Sequence, residues 1–339
     1  MRPRRLWDLG TPALVIDQAA LQHNLQVMAA ALPGARLRPH VKAHKCTELA
    51  RLQQQHGHRT FCAATVREIS GLAAAGVGED FLLANEVLDT RRLRALRGLP
   101  VTVAVDSAAS IEAAAETGLE QILIDVNVGL PRCGCAPEEA ARLADLARQR
   151  GLRVRGVMGY EGHIVGLEDR ALRAQQCEAS MQLLLEAHRA VGGEIVSAGG
   201  TGTFDLNRWA TEIQAGSYVL MDTQYAKLGL PFRLAAYVLA TVVSAGSGYA
   251  VADCGLKALG MDHGNPTIDD ATVMFCSDEH VTFVPNRSVR VGDRIRVWPA
   301  HIDPTVAYHE RMFVADGETI VDCWPVDLRG WALPEEAWD

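Results

Sequence analysis

The sequence lacks any long hydrophobic run. Although 48% of its 339 residues are hydrophobic, no stretch approaches the roughly 20 consecutive apolar residues that a membrane-spanning helix requires. The basic opening, MRPRRLW, is not followed by an apolar core and a small-residue cleavage site, as it would be in a secretory signal. These absences predict a protein without membrane spans that stays in the cytoplasm.

Clustered cysteines and an excess of positive charge are also lacking. The eight cysteines are scattered along the chain, without the dense, regular spacing of a disulfide framework. A formal net charge of −8 argues against a general affinity for nucleic acid or for anionic membrane surfaces. We therefore expect reduced thiols, and partners that are small molecules or further copies of the chain.

The first two thirds of the sequence show an alternating pattern. Short runs rich in Val, Ile and Leu alternate with helix-forming segments from about residue 18 to about residue 230, which is typical of repeated βα units. Eight such strands with intervening helices predict a closed (β/α)8 barrel. The predicted strands cover 37–43, 60–66, 80–87, 101–107, 121–127, 154–162, 194–202 and 212–219. The first helix carries Leu21, Leu25 and Met28 on one face.

The pattern changes after about residue 232. The stretches 237–246, 249–255, 281–286, 289–303 and 311–324 are rich in β-formers and are joined by Gly, Asp, Asn and Pro turns. We therefore predict two domains. The barrel occupies residues 18–230, and a mainly antiparallel β domain occupies 231–339, with residues 1–17 either adding a strand to it or leading into the barrel.

Lys42 stands at the end of the first predicted strand, where barrel enzymes place their active sites. From position alone, an ordinary solvated lysine is the simpler interpretation. A partly desolvated lysine would, however, be nucleophilic enough to form a Schiff base.

Glycine-rich turns follow the last two predicted strands. Gly199–Thr203 reads GGTGT, and Gly216 and Ser217 come after the eighth strand. Ordinary turns would explain the glycines. Barrel phosphate sites nevertheless lie after strands seven and eight, where backbone N–H groups and the hydroxyls of Thr201, Thr203 or Ser217 can bind a dianion. A lysine facing a phosphate site is the arrangement that pyridoxal 5'-phosphate (PLP) requires.

Five segments, RPHVKAHK, DVNVGLPRCG, GYEGH, SAGGTGT and QAGSYVLMD, occur in this order along the chain. With them the chain resembles the D-threonine aldolase and D-serine dehydratase group of fold-type III PLP enzymes, distant relatives of alanine racemase. The resemblance implies that Lys42 forms the Schiff base and that Arg132 lies near the phenolic oxygen, where a guanidinium favours the deprotonated form. It places Tyr160 and His163 beside cofactor and substrate, and Gln214 where racemases carry an arginine next to the ring nitrogen.

The segment VRVWPAHIDPT places His301 and Asp303 two residues apart. On an extended segment both side chains point to the same side and can meet one cation, although a surface His-x-Asp is the simpler interpretation of the spacing. The resemblance implies a divalent-metal site there, with His-x-Cys in the dehydratases and His-x-Asp in D-threonine aldolases. An imidazole with a carboxylate suits manganese, with magnesium or zinc as alternatives.

The resemblance implies a homodimeric lyase that cleaves a D-3-hydroxy amino acid to glycine and an aldehyde. His163, a hydroxide on the metal or another neighbouring group would take the hydroxyl proton. The rival is a D-serine or 3-hydroxy-D-aspartate dehydratase, which gives a keto acid and ammonia and which Asp303 disfavours. The surroundings of Lys42 disfavour a racemase, and the C-terminal residues 231–339 disfavour a PLP-binding protein that has no β domain.

Overall fold

The computed structural model describes residues 5–333. Its β-strands are β1 (Ala13–Asp17), β2 (Thr60–Ala63), β3 (Asp80–Leu83), β4 (Val101–Val105), β5 (Gln121–Asp125), β6 (Arg153–Gly159), β7 (Ile195–Ala198), β8 (Glu212–Ile213), β9 (Ala236–Gly246), β10 (Tyr249–Ala252), β11 (Thr267–Ile268), β12 (Ala271–Cys276), β13 (Val281–Pro285), β14 (Arg294–Trp298), β15 (Arg311–Asp316) and β16 (Thr319–Pro325). Its α-helices are α1 (Gln18–Ala31), α2 (Thr47–Gln55), α3 (Val66–Ala74), α4 (Thr90–Arg94), α5 (Ala108–Glu116), α6 (Ala140–Gln149), α7 (Arg170–Val191), α8 (Thr223–Ala226) and α9 (Ile302–Tyr308).

The chain forms two compact units. One comprises the described residues up to Val27, together with Ala43–Glu48 and Ser217–Asp327, and the other comprises Met28–Lys42, Leu49–Gly216 and the described residues from Leu328 onward. The predicted domain limits also include residues 1–4 and 334–339, which lie outside the described residues. No helix in the described part of the chain is both long enough and apolar enough to cross a membrane.

The second unit contains a parallel sheet in which β2 to β8 follow one another in sequence order. Segment 37–40 occupies the remaining position, because Leu37 forms a parallel bridge with Ile213 of β8 and His40 forms one with Cys62 of β2. Both edges of the sheet are therefore joined through this segment. The predicted (β/α)8 barrel is confirmed, with seven regular strands and one irregular one.

The predicted regular strand over 37–43 is wrong in detail. Only the two bridges form, and a 3-10 turn over Val41–Ala43 follows them. Pro39 explains the irregularity, since it has no N–H to give to a strand ladder. Its carbonyl still accepts a hydrogen bond from the Cys62 amide at 2.9 Å. Lys42 consequently lies on the turn directly after the barrel closes.

The other barrel strands also end earlier than predicted. β2 ends at Ala63, and two residues later Thr65 caps α3, accepting from the Glu68 amide while the Glu68 side chain accepts from the Thr65 amide. This capping box competes with strand extension for the same backbone groups. The first helix is as predicted: Leu21, Leu25 and Met28 of α1 are all buried.

The first unit is built on a mainly antiparallel sheet of order β12-β13-β10-β9-β1-β15-β16, with β14 pairing both β9 and β11. The opening strand β1 runs antiparallel to β9 and parallel to β15. The mainly antiparallel character is confirmed. Strand β12 was not predicted, and the predicted extended segment 289–303 is wrong at its end, because α9 begins at Ile302.

A buried ionic cluster lies at the start of the barrel strands. Arg38, whose side chain is 3% exposed, donates to Glu212 of β8 at 2.8 Å and to Asp80 of β3 at 2.9 Å. Arg155 of β6 also binds Asp80, at 3.2 Å, and donates to the Thr102 hydroxyl at 2.8 Å. The irregular segment is thus fastened to strands on both of its sides by one guanidinium.

We predict that Arg38→Ala lowers the free energy of unfolding by about 3–5 kcal/mol, because it leaves two carboxylates without their shared buried cation. The matched control is Arg59→Ala. The Arg59–Glu79 pair has side chains 64% and 61% exposed, so its loss should cost less than about 1 kcal/mol. Urea unfolding followed by circular dichroism measures both, and equal losses in the two variants would contradict the role of Arg38.

Candidate active site

Three of the predicted site residues, Lys42, Arg132 and Tyr160, lie close together at the carboxyl end of the barrel strands. The Lys42 Nζ atom lies 5.9 Å from the centroid of the Tyr160 ring, and the guanidinium carbon of Arg132 lies 5.2 Å from the same centroid. Both distances are within the range of a cation–π contact. Tyr160 follows β6 directly and is half-buried. The structure therefore gathers an amine, a guanidinium and a phenol from three separate segments.

The loop that carries Arg132 is fixed to the end of β5. The Cys135 amide donates to the Asp125 carbonyl and the Asn127 amide donates to the Cys135 carbonyl, each at 2.9 Å. The Gly134 amide donates to the Asp106 carboxylate at 3.2 Å. With its backbone folded onto the strand in this way, the loop holds Arg132 over Tyr160 although the Arg132 side chain itself is exposed.

The glycine-rich loop after β7 is organised by Glu161. This fully buried carboxylate accepts hydrogen bonds from the Gly199 amide at 3.1 Å, the Thr203 hydroxyl at 2.9 Å and the Asn207 side-chain amide at 3.3 Å. Burial raises the pKa of Glu161, and these hydrogen bonds oppose that shift. Glu161 was not among the predicted site residues, although a charged residue shortly after the buried strand, in GYEGH, was an available signal.

The members of the loop have different tasks. The Thr203 hydroxyl is engaged by Glu161 and also accepts from the Gly200 amide at 3.2 Å. A side chain at Gly202 would collide with the Val165 backbone, whereas one at Gly200 would only reach ordinary contact with Tyr160, at 3.5 Å. Glycine is therefore required at 202 by packing. At position 200, beside Tyr160, the packing of the protein itself does not require glycine. Thr201, between these two glycines, is buried.

Gln214 sits in a chain of hydrogen bonds that starts at Arg38. The Ser197 hydroxyl donates to Glu212 at 2.7 Å, so its oxygen accepts from the Gln214 amide nitrogen at 2.9 Å. The Cys62 thiol donates to the Gln214 oxygen at 3.2 Å, and burial raises the pKa of that thiol and keeps it neutral. These partners fix the orientation of the Gln214 amide.

His163 is placed differently from Tyr160. Its side chain is exposed, and its ring packs against Gly129, where an added side chain would lie 2.8 Å from the His163 Cε1 atom. Gly129 has a φ of +125° in the loop that carries Arg132. His163 therefore contacts the loop after β5.

In the other unit, His301 and Asp303 stand at the beginning of α9. The expectation that both lie on an extended segment is wrong: His301 is the extended N-cap residue, with φ −138°, and Asp303 is in the first helical turn. Helix formation is favoured here because Asp303 is acidic near a helix N-terminus. Strand periodicity therefore gives no reason to expect the His301 and Asp303 side chains to point to the same side.

Buried groups of the same unit hold this helix start in place. The Ser217 hydroxyl donates to Asp303 Oδ1 at 3.1 Å, and the Ile302 amide donates to Asp222 at 3.1 Å. Asp222 also caps α8, and burial raises its pKa to about 6. Ser217, predicted as a phosphate contact, thus directs its hydroxyl proton to Asp303, while Gly216 before it is buried.

Two residues that were not predicted as site residues, Asp262 and His263, lie against His301. The His301 Nδ1 atom lies 2.8 and 2.9 Å from the two carboxylate oxygens of Asp262. The His263 ring stacks on the His301 ring, with centroids 4.0 Å apart. One ligand atom from each of these three residues lies within 4.8 Å of the others. Asp262 comes 39 residues before His301 in the chain, so no local spacing could have shown the pair.

The side chains fit a PLP molecule and a divalent cation. Lys42 would supply an amine for the aldehyde, Arg132 a cation for the phenolic oxygen and Gln214 a neutral amide for the ring nitrogen, and the absence of a side chain at Gly200 leaves room beside Tyr160. Separately, His301 keeps one ring nitrogen beyond the one that faces Asp262, and Asp303 adds a carboxylate. This is an oxygen and nitrogen donor set that first-row divalent ions accept.

The chain combines a parallel barrel, which carries a lysine after its first strand position, with a mainly antiparallel sheet. These two features together define the class of protein to which the chain belongs. The family model of the alanine racemase N-terminal domain matches residues 16–224, and the serine dehydratase domain model matches residues 235–315. The chain belongs to the alanine racemase-like family, and this membership supports PLP as its cofactor.

Within that family, the chain is 32% identical to 3-hydroxy-D-aspartate aldolase from Paracoccus denitrificans, covering 95% of this chain and 93% of the relative. The crystal structure of D-threonine aldolase from Filomicrobium marinum matches with a TM-score of 0.91 and 32% identity, over 97% of this chain and 98% of that one. D-threo-3-hydroxyaspartate dehydratase from Delftia sp. HT23 matches with a TM-score of 0.86 and 26% identity, over 97% and 100%.

We predict that Glu161→Gln weakens PLP binding about 10-fold, because one amide oxygen cannot serve three donors and an unsatisfied buried donor costs about 1–3 kcal/mol. Titration of the cofactor-free protein with PLP, followed by the absorbance of the bound cofactor, gives the dissociation constant. Glu168→Gln, which alters an exposed glutamate nearby in sequence, should bind PLP like the wild type. An unchanged constant for Glu161→Gln would contradict its organising role.

Proposed function

We propose that this protein is a PLP-dependent lyase that cleaves D-3-hydroxy amino acids, D-threonine or a similar compound, into glycine and an aldehyde. The observation that carries the proposal is the placement of the Lys42 amine and the Arg132 guanidinium close to one ring, at 5.9 and 5.2 Å from the Tyr160 centroid. The similarity to two aldolases over nearly the whole chain supports it.

PLP, when bound, acts as an electron sink for the bond that breaks at Cα. In our proposal Lys42 holds the cofactor covalently, and the guanidinium of Arg132 keeps its phenolic oxygen deprotonated. Gln214 offers a neutral hydrogen bond to the ring nitrogen. We assign the phosphate to the backbone and hydroxyls of Gly200, Thr201, Gly202, Thr203, Gly216 and Ser217. The Thr203 and Ser217 hydroxyls and the Gly200 and Thr203 amides are engaged within the protein, so we assign the principal role to the backbone amides of Gly202, Gly216 and Ser217.

We assign His301 and Asp303 to a divalent cation, manganese in the first place, with magnesium or zinc as alternatives. A divalent cation lowers the pKa of an alcohol that it coordinates, which favours loss of the β-hydroxyl proton. His301 offers the ring nitrogen that does not face Asp262, and Asp303 offers a carboxylate that Ser217 orients. The His-x-Asp pairing of His301 with Asp303, which the resemblance associates with D-threonine aldolases, favours aldol cleavage.

Two side chains are candidates for proton transfer. Tyr160 places its phenol close to the Lys42 amine and to the Arg132 guanidinium, which lie 5.9 and 5.2 Å from its ring centroid. His163 is exposed on the loop contact with Gly129 and can exchange protons with solvent. We assign both to the catalytic machinery, together with Lys42.

We also propose that the protein acts as a homodimer. Its first unit exposes large apolar side chains, among them Met274, Phe275 and Val284, which are 52%, 54% and 38% exposed. Strand register places Phe275 opposite Thr282, two residues before Val284, so Phe275 and Val284 share one face of the β12–β13 pair. An apolar sheet face of this kind supports association with a second copy.

The direct test incubates the protein with PLP and manganese and offers D-threonine, D-phenylserine, D-serine and 3-hydroxy-D-aspartate. We expect glycine and acetaldehyde from D-threonine, and no glycine from L-threonine. The control is Lys42→Ala, which should lose both the visible absorbance of the bound cofactor and nearly all turnover, because no other group forms the bond to PLP. Keto acid and ammonia as the products would establish the dehydratase in its place.

Substitution of the proposed metal residues separates the contribution of the cation from that of PLP. We predict that His301→Ala and Asp303→Ala each retain the absorbance of PLP on Lys42 but lose most of the cleavage of D-threonine, since the cation contributes several kcal/mol to ionisation of the alcohol. Chelation should reproduce the loss, and added manganese should restore only the wild type. Full activity of the chelated wild type would refute the metal assignment.

A further inference from the structure

The contact between Asp262 and His301 bears on the orientation of His301, the residue assigned to the cation. The Nδ1 atom of His301 lies 2.8 and 2.9 Å from the two oxygens of the Asp262 carboxylate. An ionised carboxylate accepts hydrogen bonds but does not donate them, so Nδ1 carries the proton of the neutral ring. The lone pair of the ring is then at Nε2, the nitrogen on the opposite edge.

The backbone around this pair is locked. Gly260 and His301 form an antiparallel bridge, and the Thr305 hydroxyl donates to the His301 carbonyl at 2.7 Å while accepting from the Gly260 amide at 2.8 Å. A side chain at Gly260 would lie only 2.7 Å from the His301 carbonyl oxygen. The two segments therefore approach as closely as glycine permits, and Asp262 comes two residues after this contact.

His263 does not share the same cation in this arrangement. Its ring is stacked on the His301 ring, with centroids 4.0 Å apart and an angle of 8° between the planes. The lone pair of an imidazole lies in the ring plane, and one ion cannot lie in two parallel planes at that separation. His263 therefore packs against His301 without sharing its cation, although it belongs to the same cluster.

We propose that Asp262 is a positioning residue of the metal site, which holds the Nδ1–H of His301 so that Nε2 faces the cation. A carboxylate on the far nitrogen of a metal-bound histidine fixes its tautomer and ring orientation and increases its basicity, and loss of such a partner typically costs about 10- to 100-fold in metal affinity. This inference rests on the proposed function for the assignment of His301 to a cation.

The experiment measures manganese binding to the PLP-loaded protein by the electron paramagnetic resonance signal of free Mn²⁺, without reference to turnover. Asp262→Ala should weaken binding about 10- to 100-fold. Asp262→Asn should retain much of the affinity, because its amide oxygen still accepts from Nδ1–H. His263→Ala serves as the matched control and should bind nearly as well as the wild type, and PLP absorbance and circular dichroism confirm that each variant is folded.

The inference is overturned if Asp262→Ala binds manganese within about twofold of the wild type, or if Asp262→Asn is as weak as His301→Ala, which would make Asp262 itself a ligand. Unchanged binding by His301→Ala would overturn both this inference and the metal assignment. If the expected affinities are found but no glycine forms from any D-3-hydroxy amino acid, the positioning role stands and the proposed reaction fails.

Discussion

The position of Lys42 depends on how the barrel closes, and closure depends on Arg38. The guanidinium binds Glu212 and Asp80, which belong to strands on either side of segment 37–40. Pro39 makes that segment a poor partner for a regular ladder, so two isolated bridges and one buried cation replace the usual hydrogen bonds. Four residues after Arg38, the chain presents Lys42 on a short turn. The ionic contact at one end of the barrel strands thus fixes the position of the Lys42 amine at the other end.

The same buried ionic cluster is connected by hydrogen bonds to Gln214, the proposed contact of the ring nitrogen. Glu212 receives hydrogen bonds from Arg38 and Ser197, and the Ser197 oxygen is therefore left to accept from Gln214. The buried charge of Glu212 therefore determines the orientation of the neutral Gln214 amide. Glu161 acts in a similar way on the glycine-rich loop, since one buried carboxylate collects three donors from it. Preorganisation of both elements comes from buried groups that need not touch the substrate.

Much of this arrangement could be predicted from the sequence because it is local. Strand and helix periodicity showed the barrel and the β-rich region, and ordered motifs marked Lys42 and His301. What could not be predicted depends on contacts between distant segments or on competition between local structures. Asp262 reaches His301 across 39 residues, and the two-residue spacing of His301 and Asp303 suggested a strand where a helix begins. A period-two argument fails wherever a helix start uses the same spacing.

The most direct test of aldol cleavage follows the hydrogen at Cα, because the two reactions break different bonds. Aldol cleavage breaks Cα–Cβ and leaves Cα–H intact, whereas dehydration removes the α-hydrogen. With D-threonine deuterated at Cα, we expect glycine that retains the deuterium, formed at nearly the rate seen with unlabelled substrate. A primary isotope effect on the rate, together with loss of the deuterium to water and formation of a keto acid, would contradict it.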